Sequence, residues 1–140
     1  MSSEYVPVAL RQQVFDRARG ICEYCRSQAK YAIDALVIDH IQPVSRGGKT
    51  IADNLALSCQ TCNNYKYNKT TFLDPVTNKL VPLFHPRQMR WEEHFSWNED
   101  ATQMLGITPI GTTIELLQTN RDGVTNMRRV LTTINEHPPD

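Results

Sequence analysis

Residues 39–63, DHIQPVSRGGKTIADNLALSCQTCN, open on an adjacent carboxylate and imidazole, Asp39 and His40. They close on a Cys-x-x-Cys pair, Cys59 and Cys62, followed at once by Asn63. The run ALVIDHI at 35–41 is apolar and β-branched, and reads as a strand ending at the acid–imidazole pair. Gly47 and Gly48 permit the positive φ that a wide turn needs. Residues 55–58 are short enough to be the returning strand. Residues 62–69 contain no helix breaker and carry Lys66 and Lys69 toward their end, which predicts a helix with Asn63 at its start. Strand, loop, strand, helix is the expected local order.

All the cysteines fall in two such pairs, Cys22 with Cys25 and Cys59 with Cys62. One pair is a weak signal. Two pairs separated by a middle segment match the pattern in which four thiolates close a tetrahedral zinc. Such a zinc is structural, because four protein ligands leave no position for water. It would clamp the leading helix to the trailing one and fix the strand pair between them. Two disulfides, or four free buried thiols, are the bland alternatives.

Phosphodiester hydrolysis needs a cation for the phosphate, a base for water, and a group that orients the base. Asp39 offers a hard oxygen ligand and His40 an imidazole that titrates near neutrality. Asn54 is placed to hydrogen-bond across the strands and fix the loop carrying His40, and Asn63 to offer an amide oxygen as second metal ligand. Taken singly, Asp-His is a solvated strand end and Asn63 an N-cap.

In order and spacing, Cys-x-x-Cys, Asp-His, Gly-Gly, Asn-Leu, Cys-x-x-Cys-Asn and Lys resemble the zinc-stapled HNH endonucleases over residues 10–69. The resemblance implies a ββα-metal core, with Asp39 and Asn63 as ligands of a catalytic divalent ion. It further implies His40 as general base and Asn54 as its orienting residue. The family often has histidine where this chain has Asn63. An amide oxygen suits magnesium or manganese better than zinc or nickel. Segments from Asp74-Pro75 through 83–87, Trp91 and Phe95 to Asn120 look like an extension seen in a bacterial subset of these proteins.

Working outward, Leu10, Val14 and Ala18 recur at four-residue spacing after Pro7, with Gly20 just beyond, and predict a short amphipathic helix. After Thr70, residues 80–84 read as an edge strand interrupted by Pro82. Trp91, Glu93, Phe95 and Trp97 alternate, so the three aromatics are expected on one strand face, as core. Thr112 and Glu115 have capping-box spacing. Val124, Met127, Val130, Leu131 and Ile134 predict a last helix, ended by Pro138 and Pro139. His85 and Arg87 are expected to pack against the aromatic strand, and His137 to be exposed.

The 140 residues suit one compact α+β unit, with a core at 1–70 and an α+β extension at 71–140 packed on it. The net charge is zero, but the first 70 residues hold nine basic against six acidic side chains. Arg46, Lys49, Lys66 and Lys69 are the candidate contacts with a DNA backbone. No apolar run approaches the ~20 residues of a membrane helix, and the start is not a signal peptide, so a reducing cytoplasm is expected. The leading function is therefore a metal-dependent DNA endonuclease. A non-catalytic zinc-stabilised DNA-binding module, or a nuclease on RNA or single strands, is the alternative.

Overall fold

The computed structural model describes residues 5–139. An antiparallel ribbon of Val37–His40 (β1) and Leu55–Ser58 (β2) pairs Val37 with Ser58, Ile38 with Leu57, Asp39 with Ala56 and His40 with Leu55. Every residue of β2 is buried, and the pleat sorts them. Leu55 and Leu57 pack with Val6 and with Val14 of the leading helix, Val8–Arg17 (α1). Ala56 turns the other way, into a cluster with Cys22, Cys25 and Cys62. Asp39, opposite Ala56, therefore shares the cysteine side of the ribbon, whereas His40, opposite Leu55, shares the α1 side.

The third element of the motif is the helix Gln60–Lys66 (α2). It begins earlier than the expected 62–69, because Cys59 rather than Asn63 is its N-cap: the Cys59 Sγ accepts from the Cys62 N–H at 3.4 Å. It stops at Lys66, where Tyr67 takes a φ of 51°. Asn63 and Lys66, three apart, consequently lie on one face of α2, and both are buried.

The β1–β2 connection is closed by a side chain. The Asn54 amide accepts from Gln42 N–H at 2.8 Å and donates to the carbonyls of Gln42 at 3.0 Å and Lys49 at 2.8 Å. Gly47 supplies a left-handed residue at φ 87°. Gly48 is needed for room, since a Cβ there would sit 1.7 Å from the Gln42 carbonyl oxygen.

The remaining half supplies two further ribbons, Thr71–Leu73 (β3) with Leu80–Pro82 (β4) and Phe95–Trp97 (β5) with Met104–Gly106 (β6). Its helices are Trp91–His94 (α3), Thr113–Leu117 (α4) and Asp122–Thr132 (α5), with α4 packed on α2. Phe84, Trp91, Phe95, Met104 and Leu117 join the cysteine-side cluster, so both halves share that core.

Several expectations are corrected here. Residues 91–97 are not one strand: Trp91 and Phe95 meet across a helical turn, and Phe95 and Trp97 share a strand face. Alternation and helical spacing coincide at these positions, and the aromatics still stack in a chain, at 5.5 Å for Trp91–Phe95 and 5.4 Å for Trp91–Trp97. Thr112 forms no capping box; its hydroxyl donates to Pro109 O at 2.7 Å, and Thr108 caps the turn before α4. The strand expected at 80–84 ends at Pro82, which has no N–H to continue the ladder. His137 is buried: its Nε2 lies 2.7 Å from Ala101 O, and its ring meets Trp97 edge-on. Among the described residues no helix is long and apolar enough to cross a membrane.

Gly48→Ala should lower stability by at least ~2 kcal/mol, the range for steric overpacking against backbone. Thermal denaturation beside Gly47→Ala, whose Cβ would meet nothing within 4 Å, separates steric overlap from the strain at φ 87°.

Candidate functional site

The four cysteine sulfurs all lie within 4.8 Å of one another, and none is in a disulfide. Cys25 Sγ and Cys59 Sγ are 3.7 Å apart. The edge of a tetrahedron with ~2.3 Å zinc–sulfur bonds is about 3.8 Å, so the cluster fits zinc. The same separation excludes a disulfide, whose sulfurs stand ~2.05 Å apart. Each pair forms a knuckle, with the N–H of Cys25 donating to Cys22 Sγ at 3.5 Å and that of Cys62 to Cys59 Sγ at 3.4 Å.

The residues between Cys22 and Cys25 do as much as the cysteines. Tyr24, 2% exposed, donates its hydroxyl to Asp39 Oδ2 at 2.6 Å. Burial and then the Asp39 carboxylate push the Tyr24 phenol well up, so it remains a donor. Glu23 accepts from the Leu57 N–H at 2.8 Å and is ion-paired with Arg87 of the second half. The first knuckle is thus tied to both strands and to the extension. The sequence pattern assigned these two residues no role; an acid and an aromatic inside a Cys-x-x-Cys were the available signal.

Asp39 is almost fully covered, and its second partner is Lys66, whose Nζ stands 3.3 Å from the carboxylate. The ammonium also donates to the carbonyls of His40 at 3.3 Å and Ile41 at 3.0 Å. Burial raises the Asp39 carboxyl above its usual value, while Lys66 and Tyr24 pull it back. The expectation that Lys66 contacts a DNA backbone is corrected: it is 1% exposed, its charge spent on Asp39 and on the end of β1. The other candidate contacts, Arg46, Lys49 and Lys69, are exposed, with Arg46 Nε donating to Asn68 O at 2.7 Å.

Asn63 lies one turn before Lys66, on the same face of α2. It is 8% exposed, and its amide makes no hydrogen bond to another described residue. A carboxylate holding Tyr24 and Lys66 retains lone pairs for a further partner. With an unengaged amide oxygen on the helix face that carries Lys66, the donor types suit a hard divalent ion. His40 is 3% exposed and turned to the other side of the ribbon, where its Nε2 lies 2.9 Å from Thr50 Oγ1. Thr50, on the loop closed by Asn54, is a ring-orienting partner that sequence reasoning missed. The structure thus joins Asp39, Lys66 and Tyr24, places Asn63 on the helix face that carries Lys66, sets His40 on the opposite side of β1 with Thr50, and leaves Asn54 to hold the loop.

His85 approaches this region from the second half: it lines, with Ile41 and Lys66, a cavity of about 180 Å³. Its Nδ1 accepts from the N–H groups of Arg87 and Gln88 at 3.2 Å each, which makes it the closing group of its own turn.

Residues 22–69 match the model of the HNH endonuclease family. The match runs from the first knuckle cysteine to Lys69; it ends where the resemblance read over 10–69 ends but starts twelve residues later, and leaves α1 and everything from Thr70 onward outside it. No curated relative matches the chain significantly.

Removing Lys66 should be the costliest single change here. Lys66→Met leaves a buried carboxylate without its cation, a loss of about 3–5 kcal/mol, against about 1–3 kcal/mol for Tyr24→Phe. Urea unfolding of both variants gives the order. Burial also holds the imidazoles of His85 and His137 below their usual value. The unfolded chain takes up protons on them near pH 6.5 while the folded chain resists, so stability should fall as pH drops from 7 through the depressed folded values. His137→Gln should flatten that slope in thermal scans.

Proposed function

We propose that the protein is a metal-dependent HNH endonuclease that hydrolyses DNA phosphodiester bonds. The observation that carries this reading is the approach of α2 to β1, which sets Lys66 on Asp39 and Asn63 on the same helix face. Asp39 and Asn63 would hold the divalent ion, magnesium or manganese by their oxygen donors. When bound, it would supply charge neutralisation at the scissile phosphate.

The chain's own residues do the rest. Tyr24 and Lys66 keep the Asp39 carboxylate ionised and fixed. His40 takes the proton from the attacking water, with Thr50 setting its ring orientation and Asn54 the loop that carries both. The cysteine cluster holds a structural zinc away from the reaction, and the exposed cations Arg46, Lys49 and Lys69 meet the DNA backbone. Residues 1–70 are the nuclease core, and 71–140 an extension packed on it as one unit. Four available thiols suit a reducing cytoplasm.

One observation favours a rival reading. Asp39 and His40 are nearly covered and each already engaged, as in a zinc-stabilised module that binds DNA without cutting it. Supercoiled plasmid incubated with zinc-loaded protein and magnesium or manganese decides between them. The nuclease nicks, and His40→Ala falls by at least ~10²-fold at equal zinc content. The binding module retains duplex DNA in a salt-dependent way and leaves it intact under every divalent metal. Cleavage confined to RNA or single-stranded DNA would keep the reaction and change the substrate.

A further inference from the structure

Four thiolates around one zinc carry a surplus charge of −2, and three of them, on Cys22, Cys25 and Cys62, are buried. The surplus is met from the second half of the chain. Arg121, the N-cap residue of α5, reaches across with its Nη2 3.2 Å from Cys59 Sγ and 3.9 Å from Cys25 Sγ. Its Nη1 stands 3.9 Å from Cys62 Sγ and donates to Gln118 O at 3.1 Å. Arg128, 3% exposed, donates from one side to Cys25 O at 3.0 Å and from the other to Thr102 O at 2.9 Å. A planar guanidinium can span several acceptors at once, which an ammonium cannot.

Cys59 is the half-buried member of the four, and with Arg121 it lines a cavity of about 400 Å³ between residues 26–34 and α5. Water, a chelator or a competing thiol entering this cavity meets the cluster at Cys59. Arg121 makes its shortest sulfur contact there.

We propose that Arg121 is a metal-retention residue. Its guanidinium offsets the thiolate charge and covers the accessible sulfur, so that the second half of the chain is a cover for the zinc cluster. This rests on the zinc reading above and not on the nuclease reading. Because the coupling is reciprocal, the cluster's charge in turn anchors the start of α5.

The test is release of zinc from the full-length, zinc-loaded protein to an excess of a chromophoric chelator under native conditions. Arg121→Gln should release zinc at least ~10-fold faster than the parent, the lower end of the usual effect of losing a partner of a metal ligand. Arg121→Lys should fall between. Asn120→Ala is the control: it removes the clamp on Met104, whose N–H and carbonyl lie 2.7 and 2.9 Å from the Asn120 amide, and an acceptor 2.9 Å from Arg128 Nη1, while leaving Arg121 and the sulfurs untouched. It should stay near the parent's rate. In cobalt-substituted protein, the thiolate charge-transfer band should shift in Arg121→Gln and not in Asn120→Ala.

Parent-like release from Arg121→Gln overturns the proposal. So does equal acceleration by Asn120→Ala, which would mean general loosening. If Arg121→Gln fails to fold, the Arg121→Lys protein decides alone: a parent-like rate and band overturn the proposal. A parent that carries no zinc overturns the reading of the cluster itself.

Discussion

Convergence of four sulfurs on one point is the constraint from which the other positions follow. Cys59 and Cys62 sit at the end of β2 and the start of α2, and Cys22 and Cys25 follow α1. Drawing them within 4.8 Å of one another fixes where α2 lies against the ribbon, and so which of its faces meets Asp39. A helix of seven residues is too short to hold such a position by its own hydrogen bonds. It is set by the Cys59 sulfur cap at its start, the Lys66 ammonium at its end, and α4 packed against it.

The second half of the chain completes that frame. Arg87 pairs with Glu23, Arg128 grips the Cys25 carbonyl, and Arg121 lies on the cysteine sulfurs, while Glu136 holds Lys30 and Tyr31 just beyond the first knuckle. Apolar contacts agree: Phe84, Trp91, Phe95 and Leu117 pack in the same cluster as the buried cysteines. A small ribbon with one short helix buries little apolar surface by itself. The extension supplies the surface and the charge that the motif lacks.

The motif was legible because its signals are local. Residues 55–58 were bounded by the loop and Cys59, and they form β2 as read. The two Cys-x-x-Cys pairs declared their cluster by spacing, and the mixed α+β architecture followed. What the sequence could not show was set by partners far along the chain. Lys66 looked like a surface cation at a helix end; only its approach to Asp39, 27 residues earlier, explains its burial. His137 beside two prolines looked like a tail, yet Trp97 and Ala101 enclose it. At 91–97 two periodicities agreed on the same aromatics, and tertiary packing chose the helical turn.

The pleat also separates two neighbours. Asp39 and His40 face opposite sides of β1, one toward α2 and the knuckle, the other toward Thr50 and the loop. Tyr24 and Lys66 hold Asp39 on one side, while on the other Thr50 lies against His40 and Asn54 closes the loop.

Zinc K-edge X-ray absorption of the purified protein tests the central claim most directly. The account predicts one zinc per chain with four sulfur neighbours at ~2.3 Å and no oxygen or nitrogen in the coordination shell. Absence of zinc from reduced, folded protein, or a shell mixed with light atoms, would contradict it.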